Sequence, residues 1–470
     1  MKLLLVSNVF PPHVIGGYEL GCLMNAEAFR RVGHEVRIVT SMSFGCLEKK
    51  EFRHDLDVRQ IFAPVYDYEF GDRSYQRSPD FSAAGGVHPA NALALAEAIH
   101  VWQPDAIVIF NPLGIGPVGI LETAVASGVP TVVHLMDALD KGVMLSQHGF
   151  EVGGRWAAAK RRASAIACSW RMLDANSRLG RYRAATVIPS GIDTAAFPQP
   201  PRPRAWSATE PVRMVYFGQI KSHKGVHHVV TALGVLRKRM RLDVELHLIG
   251  GCDRAFAAEL RSLAAADGCV EAIHWHGQRD RHEVQALLET MHLAVLPLNA
   301  DEAFGYVAPE AALHGMCVAV GRQAGCAEVF PQGYPYFLED REDPAAIAET
   351  VRRIIVDPET RRHWEEVLPG HIAARCDLDG VCVPRYLDVI QGAIDGAADA
   401  PPVPDHLART LAAWQMNRNV GRLLGDHGPA PEDKSKRLGR RLERVIRRAM
   451  PAKLRYRLKG LLRAASGRAA

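Results

Sequence analysis

Glu302 and Glu310 stand eight residues apart in ADEAFGYVAPE, with a glycine at position 305 between them. A carboxylate offers two acceptor oxygens and no donor, so paired hydroxyls such as a ribose diol are its natural small-molecule partners. The apolar run Leu293 to Leu296, ending at Pro297, predicts a buried strand, and Val307 to His314, with Pro309 in its first turn, predicts a helix. In an open α/β sheet the loop after such a strand faces the ligand crevice, and the next helix start brings unpaired amides and a positive dipole end. That arrangement suits a pyrophosphate. Glu310 would then take the two hydroxyls of a ribose, Glu302 those of a second ring, and Gly305 would let the backbone approach the phosphates. A plainer reading fits the same residues, with Glu310 complementing the helix dipole and Glu302 a solvated loop acid.

The stretch resembles the Glu-x7-Glu signature of the retaining glycosyltransferases of family 4, whose fold is GT-B. Phe304 and Gly305 of EAFG, then Tyr306 and Val307 at the helix start, fall at donor-binding positions on that resemblance, and AGCAEVF is similar to the family's Gly-Gly-x-x-Glu segment. What it implies is an α/β protein of two Rossmann-like domains facing a cleft, acting on a nucleotide-sugar donor and retaining the anomeric configuration.

The elements that would position this site recur along the chain. Leu3 to Val6 predicts a strand, followed by a loop with Gly16 and Gly17, a helix from about Glu19 to Arg31, and a second strand from Val36 to Thr40. This is a Rossmann-type start without the G-x-G-x-x-G fingerprint. GGYEL and GHEV resemble the family's first motif, which would set the amides at Gly16 and Gly17 near the donor phosphates. Residues 45 to 90 are polar, aromatic-rich and irregular. Regular alternation returns from Pro89: a helix to His100, a strand over Ala106 to Phe110, a helix over Val118 to Ser127 and a strand over Thr131 to Leu135. The last strand ends in HLMDALD, where the family has a His-Asp pair. Asp137 matches, Met136 replaces the histidine, and His134 lies two residues earlier on the same strand face, with a catalytic and a buried structural role both open to it.

After the strand-like Ala165 to Cys168, the segment IPSGIDTAAFPQPPRPR resembles the family's connector between domains, with Gly191, Asp193 and Phe197 matching and Ser190 in place of asparagine. Its prolines place the boundary near residue 198. The second half repeats the pattern: a strand over Met214 to Phe217, the loop GQIKSHKG, a helix over Val226 to Arg239 and a strand over Val244 to Ile249. That loop is similar to the family's Gly-Arg-x-x-x-x-Lys-Gly phosphate clamp. Lys224 and Gly225 match, and Gln219 stands where arginine is usual, a loss that Lys221 or His223 would partly offset. Helices are expected over Pro344 to Val356 and Pro358 to Val367, and Val381 to Ala397 resembles the helix that returns to the first domain. The expected organisation is an acceptor-side domain over 1–197, completed by the helix at 381–397, a donor-binding domain over 198–380, and a tail over 400–470.

On this reading Glu302, His134, Asp137 and Lys224 are the catalytic candidates, and no metal or other cofactor is expected. The D-x-D pairs Asp55/Asp57 and Asp377/Asp379 follow no apolar strand, which leaves a metal-dependent GT-A enzyme as a distant alternative. Two alternatives stay open: a nucleotide-sugar hydrolase or epimerase of the same fold, and a nucleic-acid binder using the tail.

Composition narrows the setting. The chain has 470 residues, 48% of them hydrophobic and 23% charged, as expected for a globular protein of two or three domains. Nine cysteines without a C-x-x-C pair suggest free thiols in a reducing compartment, and no apolar run reaches eighteen residues, so a cytoplasmic protein without a membrane span is expected. Residues 434–470 hold fourteen Lys or Arg and one acid, Glu443, a net +13; subtracted from the whole-chain +5, this leaves −8 for residues 1–433. Leu438, Leu442, Val445 and Ile446, then Leu454, Leu458, Leu461 and Leu462, recur at helical spacing among the basic residues. Such helices lie on anionic bilayers, so the tail predicts attachment to the inner face of a cytoplasmic membrane with a saccharide or lipid-linked acceptor; no nucleic-acid partner is expected.

Overall fold

Continuous apolar runs form strands covered on both faces, and the computed structural model places two such sheets in Met1–Ala408. It describes residues 1–14, 16–42, 55–63, 66–68, 75–77, 86–145, 149–198, 206–207 and 209–399. The tail, 400–470, lies outside the described residues, as does much of the irregular segment 45–90.

In the first half the strands are β1 (Lys2–Ser7), β2 (Glu35–Ser41), β3 (Asp57–Phe62), β4 (Tyr66–Tyr68), β5 (Tyr75–Arg77), β6 (Ala106–Asn111), β7 (Thr131–Leu135), β8 (Ser164–Ala167) and β9 (Ala184–Val187). Between them run α1 (Gly17–Arg31), α2 (Pro89–Trp102), α3 (Pro117–Ala126), α4 (Leu139–Met144), α5 (Gly149–Lys160) and α6 (Trp170–Ala175). The second half contributes β10 (Val212–Phe217), β11 (Val244–Ile249), β12 (Ile273–Gly277), β13 (Leu293–Leu296), β14 (Cys317–Gly321) and β15 (Phe337–Leu338). Its helices are α7 (Val226–Gly234), α8 (Arg254–Ala266), α9 (Arg281–Leu288), α10 (Val307–Leu313), α11 (Pro344–Val356), α12 (Pro358–Cys376) and α13 (Val383–Asp395).

Both sheets are parallel, in the orders β3-β2-β1-β6-β7-β8-β9 and β12-β11-β10-β13-β14-β15. The order reverses between β1 and β6 and again between β10 and β13, so each sheet has one switch point where loops at the carboxyl ends part into a crevice. Two short strands, β4 and β5, pair antiparallel outside these sheets. The helix expected to end at Val367 runs on to Cys376 through Pro369, and the one expected to Arg239 changes at Val235 to a wider turn that ends at Arg239.

Helix α13 joins the first sheet. Val383, Tyr386, Ile390 and Ala393 are buried with Leu3, Leu5, Phe110 and Ile166, while the connector's Ile192 exchanges backbone bonds with Cys376 (2.7 Å) and Leu378 (2.9 Å). Each large aliphatic side chain so buried contributes roughly 1.5–3 kcal/mol.

One polar network is sealed inside the first half. Asp140 and Lys160 are 1% and 0% exposed, and Lys160 Nζ donates to both Asp140 oxygens at 2.9 and 3.0 Å. The Asp140 carboxylate also accepts from Trp156 Nε1 (2.7 Å) and the Leu179 amide (2.7 Å), so its charge is fully bonded. Removing one partner would strand a buried charge. Lys160→Ala is therefore expected to cost about 3–5 kcal/mol, read as a fall in the urea midpoint, whereas Lys160→Met combined with Asp140→Asn should cost less than the two single changes added together.

Candidate active site

The loops after β10 and β13 flank the second switch point, and they carry Lys224 and Glu302. Lys224 Nζ donates to Glu302 Oε2 in a pair that keeps both side chains about one-fifth exposed, at 22% and 20%. Gly225 follows in a left-handed turn (φ 76°) that caps α7, and the guanidinium of Arg341 reaches the Pro297 carbonyl at 3.3 Å, tying the region to the end of β13. Sequence reasoning did not single out Arg341, because no motif contains it.

Gln219 is exposed, and its carbonyl accepts from Tyr216 Oη at 2.9 Å. Lys221 and His223 are exposed on the same loop. Burial, then the charges of Lys224 and Lys221, lower the His223 pKa below its ordinary value, so near neutral pH Lys221 supplies the extra cation and His223 does not.

The second loop turns sharply at Gly305 (φ 79°), where a β-carbon would sit 2.8 Å from Leu298 Cδ1 and 3.0 Å from Glu302 Cγ. Helix α10 starts immediately after it, with the Ala308 amide bonded to the Gly305 carbonyl at 3.2 Å, so the preceding amides sit at its positive end. Phe304 is buried and meets Tyr306 edge-on at 5.3 Å, and Val307 packs towards Gly218 of the first loop. Glu310, partly buried in the first turn, has its pKa raised to about 7 by burial, with the Arg281 charge acting in the other direction.

The first domain meets this site across the cleft. Tyr306 lies against Gly17 and Gly21 of α1, its ring carbons 3.1 and 3.3 Å from the place of a β-carbon on Gly17. The Gly16 amide donates to Glu19 at 3.0 Å, so in this arrangement it serves the helix cap rather than the crevice. Cys168 Sγ and Ser169 Oγ approach the Ala303 carbonyl at 3.3 and 3.0 Å, and Glu328 accepts from the amides of Trp170 (2.7 Å) and Arg171 (3.0 Å). These cross-cleft bonds could not be read from spacing, because their partners are 134 to 158 residues apart.

Asp137 stands where the sequence places it, at the carboxyl end of β7. Its Oδ1 accepts from the Ala138 amide at 2.8 Å and its Oδ2 faces Asn111 Nδ2 at 3.5 Å. His134 does not reach the crevice. It is 2% exposed, wedged edge-on between Phe110 (4.9 Å) and Tyr386 (5.3 Å), and neither ring nitrogen has a hydrogen-bond partner. Burial pushes its pKa down to about 3, so it stays neutral. The alternation that put His134 on the face of Met136 holds, but α13 covers that face at its depth.

Residues 16–191 match the glycosyl transferase 4-like domain family and residues 202–367 match the glycosyl transferases group 1 family. The chain is 27% identical over 372 residues to the glycogen synthase of Mycobacterium tuberculosis (strain ATCC 25618 / H37Rv), covering 76% of this chain and 87% of that protein. Among solved structures it resembles Anabaena Alr3699/HepE in complex with UDP and glucose, with a TM-score of 0.60, 19% identity, and coverage of 85% of this chain and 100% of that one. It is also similar to the sucrose-phosphate synthase of Thermosynechococcus elongatus, with a TM-score of 0.64, 17% identity, and coverage of 84% and 99%. Two parallel α/β domains in this order define the GT-B fold. The chain belongs to the group 1 glycosyltransferases, with a family 4-like first domain, and it is a glycosyltransferase.

The Glu310 shift has a consequence for stability. Because its folded pKa (about 7) lies above the ordinary 4.5, the folded state binds the proton more tightly, and stability falls as pH rises from about 4.5 through 7. Glu310→Gln should therefore raise the thermal midpoint near pH 8 by the equivalent of about 1–3 kcal/mol and leave it little changed near pH 4, as read by calorimetry across that range.

Proposed function

We propose that the protein transfers a hexose from a nucleotide sugar to a saccharide or lipid-linked acceptor with retention of anomeric configuration. The observation that carries this reading is the convergence of Lys224, Glu302, Glu310 and the start of α10 around one switch point. A uridine nucleotide is favoured over a guanosine one, since the solved relative Alr3699/HepE is described with UDP and with UDP-glucose.

In this reading Glu310, once ionised, accepts from the two ribose hydroxyls. The pyrophosphate draws Lys224 away from Glu302, which frees Glu302 to accept from hydroxyls of the transferred sugar. Lys224, Lys221 and the amides before Ala308 carry the charge that grows on the leaving diphosphate, so fixed dipoles and lysines do the work of a divalent ion. The acceptor oxygen bonds to the anomeric carbon on the face from which the diphosphate oxygen departs, and the acceptor proton passes to that departing oxygen. Asp137, at the opposite rim, receives an acceptor or donor hydroxyl. Enclosed beneath Tyr386, His134 is a packing residue in this scheme.

Expected outcomes follow residue by residue. Glu310→Ala weakens UDP binding by about 10–100-fold in calorimetry, the loss of hydrogen bonds to a charged group. Glu302→Ala leaves UDP binding intact and lowers kcat by about 100-fold, Lys224→Ala lowers both, and transfer by the unaltered enzyme survives EDTA. Wild-type transfer by all three variants would refute the site. Activity lost in EDTA and restored by Mn2+ would replace the metal-free scheme.

The basic tail supplies the setting. We infer that residues 434–470, with their net +13 and two apolar stripes, hold the enzyme on an anionic membrane surface where lipid-linked acceptors reside. Full-length protein should co-sediment with anionic liposomes and lose that binding in high salt, while a chain ending near residue 430 should stay in solution. Equal binding by the two chains would overturn the inference.

A further inference from the structure

A second group of chemically capable side chains lies on a face of the second sheet, in the first four residues of β11 and β12 rather than on the donor loops. Strand alternation puts Glu245 and His247 of β11 on one face, and the parallel register sets His247 beside His274 of the edge strand β12. His276, two residues further along β12, shares that face. Glu245 Oε2 lies 3.4 Å from His274 Nε2 and 3.7 Å from His247 Nε2, and the three atoms all fall within 4.8 Å of one another. Bonds of 2.0–2.1 Å to a tetrahedral zinc ion set ligand atoms about 3.3–3.4 Å apart, which the two carboxylate–imidazole separations approach, while the two imidazoles must draw together on binding.

Hydrogen bonding points the same way. His247 Nδ1 is 3.0 Å from His276 Nε2, so in the tautomer that donates this bond His247 Nε2 keeps its lone pair, 3.7 Å from Glu245 Oε2. The Nε2 atoms of both His247 and His274 are buried without a hydrogen-bond partner, and a bound cation is what would satisfy two lone pairs and a carboxylate together. The His274 and Glu245 side chains are 41% and 27% exposed, which gives an ion a route in and leaves a fourth position for water.

We propose that Glu245, His247 and His274 form a binding site for a borderline divalent cation of the Zn2+ class, with His276 as the outer hydrogen-bond partner that orients His247. Glu245 lies four residues before Ile249, on the order of 13 Å along the strand from the donor end, so the ion takes no part in transfer. Its role is to pin β12 to β11. That edge strand buries little of itself, every one of its residues being at least partly exposed, so a cross-strand ligand set replaces packing there. Arg213, the register partner of Glu245 on β10, brings an opposing positive charge and weakens the attraction without removing a ligand.

The test uses full-length chain without a polyhistidine tag, stripped with chelator and titrated with Co2+ and then Zn2+. One equivalent of Co2+ should give the intense visible bands of a tetrahedral ion, Zn2+ should bleach them, and either metal should raise the unfolding temperature. His274→Gln and Glu245→Gln should each weaken binding by about tenfold or more, and His276→Gln by about 10–100-fold, with UDP binding unchanged in all three. Since the His274 side chain is 41% exposed, its variant tests the site with little threat to the fold. Absence of a stoichiometric tetrahedral spectrum, or undiminished binding by the His274 and Glu245 variants, would overturn the proposal. Loss of transfer on metal removal would refute the structural role assigned to the ion.

Discussion

Placement of the loop from Leu298 to Gly305 is the constraint on which the site depends, and the loop is held by its backbone rather than by its side chains. The Gly325 amide donates to the Glu302 carbonyl at 3.0 Å, while a β-carbon at Gly321 or Gly325 would collide with the carbonyls of Leu298 and Ala303. Glycine at these two positions lets β14 and the turn after it press directly on the loop. Its outer side is fixed from the other domain by Cys168 and Ser169, both bonded to the Ala303 carbonyl. Glu302 thus projects from a backbone fixed on two sides. A carboxylate so mounted can form an ion pair with Lys224 without the loop reorganising, which is what preorganised electrostatics requires.

Much of this was legible in the sequence. The strand over Leu293–Leu296 begins and ends where the apolar run does, because a strand buried on both faces is a continuous hydrophobic segment, and those over Thr131–Leu135 and Val244–Ile249 keep their expected bounds although His134, Glu245 and His247 interrupt them. The sequence also puts Lys224 and Glu302 on loops that follow strands beside the switch point, and the structure pairs their side chains. The boundary of α12 was missed: Pro369 in its interior reads as a helix stop, yet tertiary packing of Leu368 and Ile372 carries the helix past it. Which of the two roles open to His134 its surroundings favour was not legible for a different reason. Periodicity reports the face a side chain occupies, and only the position of α13, some 250 residues later, decides that this face is closed.

The two buried acids show how burial and bonding divide labour. Asp140 is more deeply buried than Glu310, yet it accepts from Lys160, Trp156 and the Leu179 amide, and these partners offset its desolvation. Through Asn176, which donates to the Asp137 carbonyl at 2.9 Å and accepts from the Asp140 amide at 3.3 Å, the same network fixes the turn that carries Asp137. Glu310 has no comparable set: its pKa rises to about 7, and the nearest counter-charge acting on it is Arg281. One acid stabilises the scaffold, and the other destabilises it where a ligand would bind. Strain of this kind is expected at a site that spends folding stability on recognition.

The domain joint divides polar from apolar contact in a similar way. Glu328 bonds the Trp170 and Arg171 amides, Tyr306 rests on Gly17 and Gly21, and Lys141 lies 3.7 Å from Asp301, so the two halves touch at several small polar or glycine-lined points. These contacts are small and mostly polar, whereas Ile192 and Leu378 are both buried and share a backbone bond where the connector meets the end of α12. Polar contacts break and re-form with water at little net cost, while apolar ones do not. The joint thus combines exchangeable polar contacts beside the site with a buried backbone strap at Ile192 and Leu378. The Lys224–Glu302 pair is a contact of the same polar kind, each side chain about one-fifth exposed and so within reach of solvent and ions.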